Sequence, residues 1–409
     1  MTPLDHDASG GTETGASRPN RMPVMAFVTD AETEFTLREG LEQVVPEKFE
    51  FRRVGIRGAT ALLATMPTPL TLILDLSGEE NPLAALADLS QVVEPDVRVL
   101  VVGDQDDVNF YRQVTRGLGA LEYLSKPLTR DLVARQFGPL LNRQSQPQSS
   151  VLGGRLVTIT GSRGGVGAST IAANLGWYLG SEAKRHTVVL DTDLHRGICA
   201  MLLGSKTGSG LRTALEAPGR IDELFVERVS LPVADRLHVL AGEERLADQP
   251  TYTAGAGAKL SDALRRRYNF VVADLPFTGQ PLHRDLLHLA HQRVLVMVPT
   301  LASIRDTLRL LAIPNGPAQP RRAVVLLNRS NMQGGLELRR VTDALKMKPD
   351  IVIPEVRRSV ERAASLGTPV AKERGPVRSA MAALAREVGF MSREPDAKPS
   401  RRLSLPWRK

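Results

Sequence analysis

The residues best suited to chemistry lie in one run, Arg155-Leu-Val-Thr-Ile-Thr-Gly-Ser-Arg-Gly-Gly-Val-Gly-Ala-Ser-Thr170. It reads as an apolar strand, a Gly-rich turn and a helix from Ile171. That is the layout of a phosphate-binding loop, where backbone N–H groups and a helix N-terminus cradle polyphosphate. Gly164, Gly165 and Gly167 let the backbone approach phosphate closely, with Val166 between them. Against the Gly-x-x-x-x-Gly-Lys-[Ser/Thr] spacing, Ser162 stands at the first Gly and Ala168 at the phosphate lysine. Ser169 falls where a hydroxyl ligates Mg²⁺, and Thr170 is placed for an inner phosphate. Asp274 ends the apolar strand Phe-Val-Val-Ala-Asp, the place of a carboxylate that holds Mg²⁺ through water. Asp193, two residues past Asp191, is a candidate to orient attacking water, and Asn328, at another strand end, a candidate for a base edge. The expected cofactors are ATP and Mg²⁺.

Around these residues the chain alternates short strands and helices, giving an α/β fold of two doubly wound, mainly parallel sheets. The expected divisions are a disordered tail (1–22), a first domain (23–141), a Gln/Ser-rich linker (142–153), a P-loop domain (154–391) and a basic tail (392–409). In the first domain, strands at Met25 to Asp30, Phe49 to Val54, Leu70 to Asp75, Val97 to Gly103 and Leu121 to Leu124 alternate with helices. The helices run Glu32 to Val45, Ala59 to Met66, Pro82 to Val92, Val108 to Leu118 and onward from Thr129. The P-loop domain adds strands over Thr187 to Asp191, Tyr268 to Asp274, Arg293 to Pro299, Arg322 to Asn328 and Asp350 to Pro354. A last helix is expected over Val377 to Phe390.

Composition narrows the field. The one cysteine, Cys199, excludes an internal disulfide and multi-cysteine metal or iron–sulfur sites within one chain. No apolar run has the ~18–20 residues that span a bilayer, and no secretory signal is visible, so a cytoplasmic protein is expected. The net charge of +8 is uneven: residues 1–150 hold 14 Lys/Arg and 21 Asp/Glu, net −7, leaving +15 for the rest. A basic back half suits an anionic partner, or is a solvated arginine-rich surface. The tail interleaves Leu403, Leu405 and Trp407 with basic residues; it is a solvated segment or an inner-membrane surface contact.

Residues 23–141 resemble a response-regulator receiver domain. The resemblance implies that Asp75, ending the third strand, is a candidate phosphoacceptor, with Asp30 at the metal position and Lys126, before Pro127, as the neutralising lysine. Thr29 stands where a second acid is common, and Gly103 where a Ser or Thr reads the phosphate. The alternative is a phosphorylation-independent interaction or dimerisation module.

Arg163-Gly-Gly-Val-Gly-Ala-Ser169 resembles the deviant loop of the MinD/ParA superfamily. In that family a lysine at the position of Arg163 reaches the partner's nucleotide in a dimer. With the receiver-like domain, Leu211-Arg-Thr-Ala-Leu-Glu-Ala-Pro218 and Ile353-Pro-Glu355 to Pro369, the chain is similar to the CpaE/TadZ pilus-assembly proteins over roughly residues 25–390. The resemblance implies a homodimeric ATP-binding scaffold at the cell pole or inner face of the membrane. Its partners would be a Tad/Flp type IVb pilus secretion machine and polar localisation factors, with DNA not expected. Arg163 keeps the charge of the crossing lysine in a planar, bidentate form. Ala168 removes a charge-assisted phosphate contact of ~1.5–3 kcal/mol, so the chain is at most a weak ATPase. The alternative is an active partition or cell-division ATPase.

Overall fold

A computed structural model describes residues 21–42, 49–142, 154–319 and 321–389. The basic tail, nearly all of the N-terminal tail and nearly all of the linker lie outside the described residues, as do the helix ends placed at Val45 and Phe390.

Two sheets carry the fold. The first has β1 (Val24–Val28), β2 (Phe49–Arg53), β3 (Thr71–Asp75), β4 (Arg98–Gly103) and β5 (Glu122–Ser125) in the order β2-β1-β3-β4-β5, every pair parallel. The second has β6 (Arg155–Gly161), β7 (Thr187–Asp191), β8 (Leu231–Ala234), β9 (Leu237–Leu240), β10 (Phe270–Asp274), β11 (Gln292–Met297), β12 (Val324–Leu327) and β13 (Ile351–Val352). Its order is β13-β12-β11-β6-β10-β7-β9-β8, and only β8 is antiparallel to its neighbour. The strands read as unbroken apolar runs because both faces are covered. Successive residues alternate between two cores: Met25 and Phe27 pack on one side of the first sheet, Val24, Ala26 and Val28 on the other. Val157 and Val189 face one core of the second sheet, Leu156, Val188 and Leu190 the other.

The two-sheet architecture is as the alternation of strands and helices implied. The expected helix over Val108 to Leu118 is α-helical only to Arg112 and continues as a wider π-turn over Gln113–Gly117. β8 and β9 were not expected: each is four residues long, one holding Pro232 and the other a half-buried His238, so neither shows a strand's apolar run.

Both sheets place their chemistry at the C-terminal ends of strands, where open parallel sheets gather functional groups. The helix Ala168–Trp177, which follows the Gly-rich loop, is fixed by a buried side chain. Asn174 donates through Nδ2 to the Thr170 carbonyl at 2.7 Å and accepts from the Ala371 N–H at 2.7 Å, 197 residues away. Both partners are backbone groups that lose their bonds if the amide goes. Asn174→Ala is therefore expected to lower unfolding stability by about 1–3 kcal/mol, read from urea denaturation midpoints.

Candidate nucleotide site

The loop after β6 is shaped by its glycines. Gly165 (φ 81°) and Gly167 (φ 97°) hold left-handed backbone that side chains disfavour, and Gly167 also caps the helix. A Cβ at Gly167 would stand 2.7 Å from Asn328 Nδ2. Ser162, at the deviant first position, fastens the loop to β11: its N–H donates to the Val296 carbonyl at 2.8 Å and its hydroxyl meets the Ser303 hydroxyl at 2.7 Å. Val166 is buried in the core, and the half-buried Ala168 methyl packs against that core.

Asn328, at the end of β12, is brought to this loop. Its Nδ2 donates to the Val166 carbonyl at 2.9 Å and its Oδ1 accepts from the Arg329 N–H at 3.0 Å. In this structure the carboxamide ties down the loop. Gly167, Thr170, Asn328, Arg329, Pro354 and Glu355 help line a cavity of about 360 Å³, within the size range of small-molecule sites. Thr170 and Asn328 thus share one wall beside the helix N-terminus, while Gly164 leaves open space above the turn.

On the other side of the loop, Asp191 and Asp274 end neighbouring strands in register. Asp191 is fully buried and accepts from the Cys199 N–H at 2.9 Å and the Asp193 N–H at 3.2 Å. Gly197 has no room for a side chain, since a Cβ there would lie 2.5 Å from the Asp191 carboxylate. Asp274, 5% exposed, lies 3.6 Å from Cys199 Sγ. Burial pushes the Asp274 carboxyl up to about 7, the Ser169 hydroxyl opposing and the Asp191 charge adding to the rise. Burial raises Asp191 as well. A ligand atom from each of Asp191, Cys199 and Asp274 lies within 4.8 Å of the others. Two buried carboxylates and a hydroxyl fit a hard cation such as Mg²⁺, which would offset their repulsion and take oxygen ligands. The thiol of Cys199, driven up by burial, is no ligand for such an ion. The sequence reading missed Asp191 because Asp193, two residues on, is the more exposed acid. The common strand end of the two was the available signal.

Asp193 is brought to the same edge but caps the turn after it, its Oδ1 accepting from the His195 and Arg196 N–H groups at 3.1 and 3.0 Å. Arg163 leans outward: its Nη1 donates to Asp306 Oδ2 at 2.7 Å, and Arg305 and Arg309 share the same carboxylate. Asp306 lies on the helix Leu301–Leu311, and nothing in the sequence marked it.

No family model matches this sequence. The chain is 26% identical over 232 residues to the septum site-determining protein MinD of Escherichia coli (strain K12), covering 53% of this chain and 83% of that protein. The fold matches the Pyrococcus horikoshii OT3 MinD complexed with Mg-ADP at a TM-score of 0.50 and 21% identity, over 57% of this chain and 95% of that one. These findings support homology to the MinD/ParA superfamily of ATPases. A pilus assembly protein CpaE from Caulobacter crescentus CB15 is 28% identical over 29% of this chain and 97% of its own, at a TM-score of 0.26, too low to decide anything.

The raised Asp274 carboxyl gives the site a pH signature. Folded Asp274 keeps its proton up to pH about 7, whereas the unfolded chain releases it near 3.8. The associated stability is full below 3.8 and is lost as pH rises through 7. Asp274→Asn is expected to remove this dependence and to be the more stable protein at pH 8 without divalent cation, by on the order of 2–4 kcal/mol in urea titrations.

Proposed function

We propose that this chain is an ATP- and Mg²⁺-binding positional scaffold of the MinD/ParA type, with weak or absent hydrolysis, serving assembly of a Tad/Flp type IVb pilus secretion system at the cell pole. The observation that carries this reading is Ala168, an apolar methyl packed on the core beside Gly165 and Gly167, whose left-handed backbone suits a phosphate cradle. Gly164, Gly165, Gly167 and the N–H groups of the first helical turn would hold phosphate, and Thr170 would meet an inner one. Ser169, Asp274 and Asp191 would hold Mg²⁺, which when bound neutralises phosphate charge. Asn328 would rank as a loop support beside the nucleotide cavity. Without a lysine, charge delivered to the leaving phosphate falls to Arg163, and turnover should suffer more than binding.

Pairing of two copies through this edge is supported by exposed apolar side chains around it. Ile198, Met201, Phe277 and Leu301 follow β7, β10 and β11, and each is at least 39% exposed. Arg163 held on Asp306 would be the resting state, and transfer of its guanidinium to the partner's phosphate the dimeric one.

The first sheet supports a phosphorylation-independent, receiver-like module. Its strand order, 2-1-3-4-5, is the flavodoxin-like order that receiver folds share. Asp30, Asp75 and Lys126 come together, yet Asp75 is 2% exposed and fully engaged. Thr29 and Lys126 donate to its Oδ2 (2.6 Å from the Thr29 hydroxyl, 3.0 Å from Lys126 Nζ), and the Ser77 N–H and hydroxyl to its Oδ1. Lys126 also meets Asp30 at 2.7 Å. Where a sensing hydroxyl would sit, Gly103 faces Tyr123, whose hydroxyl is pinned to the Gln105 backbone. The sequence match to septum-site MinD favours a second reading, an active patterning ATPase. Among the described residues no helix is long and apolar enough to cross a membrane.

Sedimentation of the full chain should show a monomer that shifts to a dimer with Mg-ATP; no nucleotide binding and no shift would refute the scaffold reading. Phosphate release should be near background and rise at least roughly tenfold in Ala168→Lys; brisk release by the unaltered chain would favour the patterning ATPase. Asp306→Asn, which frees Arg163, should lower the ATP concentration needed for half-dimerisation several-fold in the same sedimentation assay.

A further inference from the structure

The two sheets meet at the ends where their strands begin. Arg236, just before β9, is 5% exposed, and its guanidinium spans both units. Nη2 donates to the Leu63 and Met66 carbonyls at 2.8 and 3.2 Å, and Nη1 to those of Val92 and Lys184 at 3.1 and 3.0 Å. Leu63 ends the helix Ile56–Leu63, and Val92 lies just past the helix Pro82–Ser90. The cation therefore sits on the carbonyl ends of two helices, where orphan acceptors and the helix dipoles favour positive charge.

Asn269, just before β10, repeats the arrangement. Its Nδ2 donates to the Ser90 and Val93 carbonyls at 3.2 and 2.7 Å, and its Oδ1 accepts from the His186 N–H at 3.0 Å. Gln91 answers from the first unit, Nε2 donating to the Gly389 carbonyl at 2.9 Å. Lys184 and His186 precede β7, as Arg236 precedes β9 and Asn269 precedes β10. The Asp75 cluster and the phosphate loop stand at the opposite, C-terminal edges of their sheets.

We infer that Arg236 and Asn269 latch the two sheets into one rigid strut, with the Asp75 cluster at one extremity and the phosphate loop at the other. The latch is polar and buried, so separating the units would strip partners from a cation and from five carbonyls of the first unit. A lysine could not replace Arg236, because its single ammonium cannot fan out over four carbonyls as the planar fork does. If two copies pair through their phosphate loops, as proposed above, the two Asp75 ends point away from the pairing surface and stay open to other partners.

Spin labels on cysteines introduced at the exposed Asp106 and Leu246 of the full chain report the distance between the extremities; the native Cys199 is buried and takes no label. A single narrow distance distribution without nucleotide is expected, broadening several-fold when Arg236→Met and Asn269→Ala are combined. A broad distribution in the unaltered protein, or a narrow one in the doubly substituted protein, overturns the strut. Should the double substitution fail to fold, Arg236→Lys alone is expected to broaden the distribution, and no broadening there overturns the latch. No nucleotide enters the measurement, so its failure is separate from failure of the nucleotide reading.

Discussion

Two carboxylates are held side by side where water cannot reach them, and the turns that follow β7 and β10 are arranged around that repulsion. Asp191 and Asp274 end adjacent strands in register, so neither can retreat without breaking the β7–β10 ladder. The chain meets the problem with dipoles. Backbone N–H groups of Asp193 and Cys199 point at Asp191. Gly197 gives up a side chain so that the turn can close over Asp191. Dipoles soften the repulsion without removing it, and the Asp274 carboxyl holds its proton to about pH 7. A site in that condition gains free energy from any hard cation that enters it.

The first sheet offers the comparison. It too gathers carboxylates at a C-terminal edge, Asp30 and Asp75, but it brings its own cation. Burial works against ionisation of both. At Asp30 the hydrogen bonds from Lys126 and Thr33 outweigh it, at Asp75 those from Ser77, Thr29 and Lys126, and both carboxyls are held below the usual range. Lys126 is raised in turn: burial opposes its charge, and its bonds to Asp30 and Asp75 prevail. One cluster is thus complete in itself and the other is short of a positive charge. The physical demand for a ligand therefore lies in the second sheet.

Much of this was legible in the sequence, for a reason that also marks the limit. Apolar runs such as Phe270 to Ala273 or Val324 to Leu327 are unambiguous because both faces of their sheets are buried, and the glycines at 165 and 167 announce a backbone that few other residues adopt. The strand ends at Asp274 and Asn328 could be read as sites on that basis. What side chains do across long sequence separations could not. Asn328 reaches back 162 residues to the Val166 carbonyl, and Asp306 takes Arg163 across 143 residues; neither pairing leaves a local pattern. β8 and β9 escaped for the opposite reason: at four residues each, with Pro232 in the edge strand β8 and His238 in β9, they are too short and too interrupted to show an apolar run.

The substitutions at Arg163 and Ala168 make physical sense together. A lysine at 168 would bring a strongly hydrated point charge to the first turn of the helix, where an alanine instead lays its methyl against the core. The loop is then held by its glycine backbone and by side chains outside its first helical turn, the Ser162 hydroxyl on Ser303 and the Asn328 carboxamide on the Val166 carbonyl. Arg163 is then the loop's single charged side chain, and it is committed to Asp306 while Arg305 and Arg309 compete for the same carboxylate. Three guanidinium groups on one acid make the bond to any one of them cheap to give up, since the other two remain. Release of Arg163 would therefore not leave Asp306 unpaired.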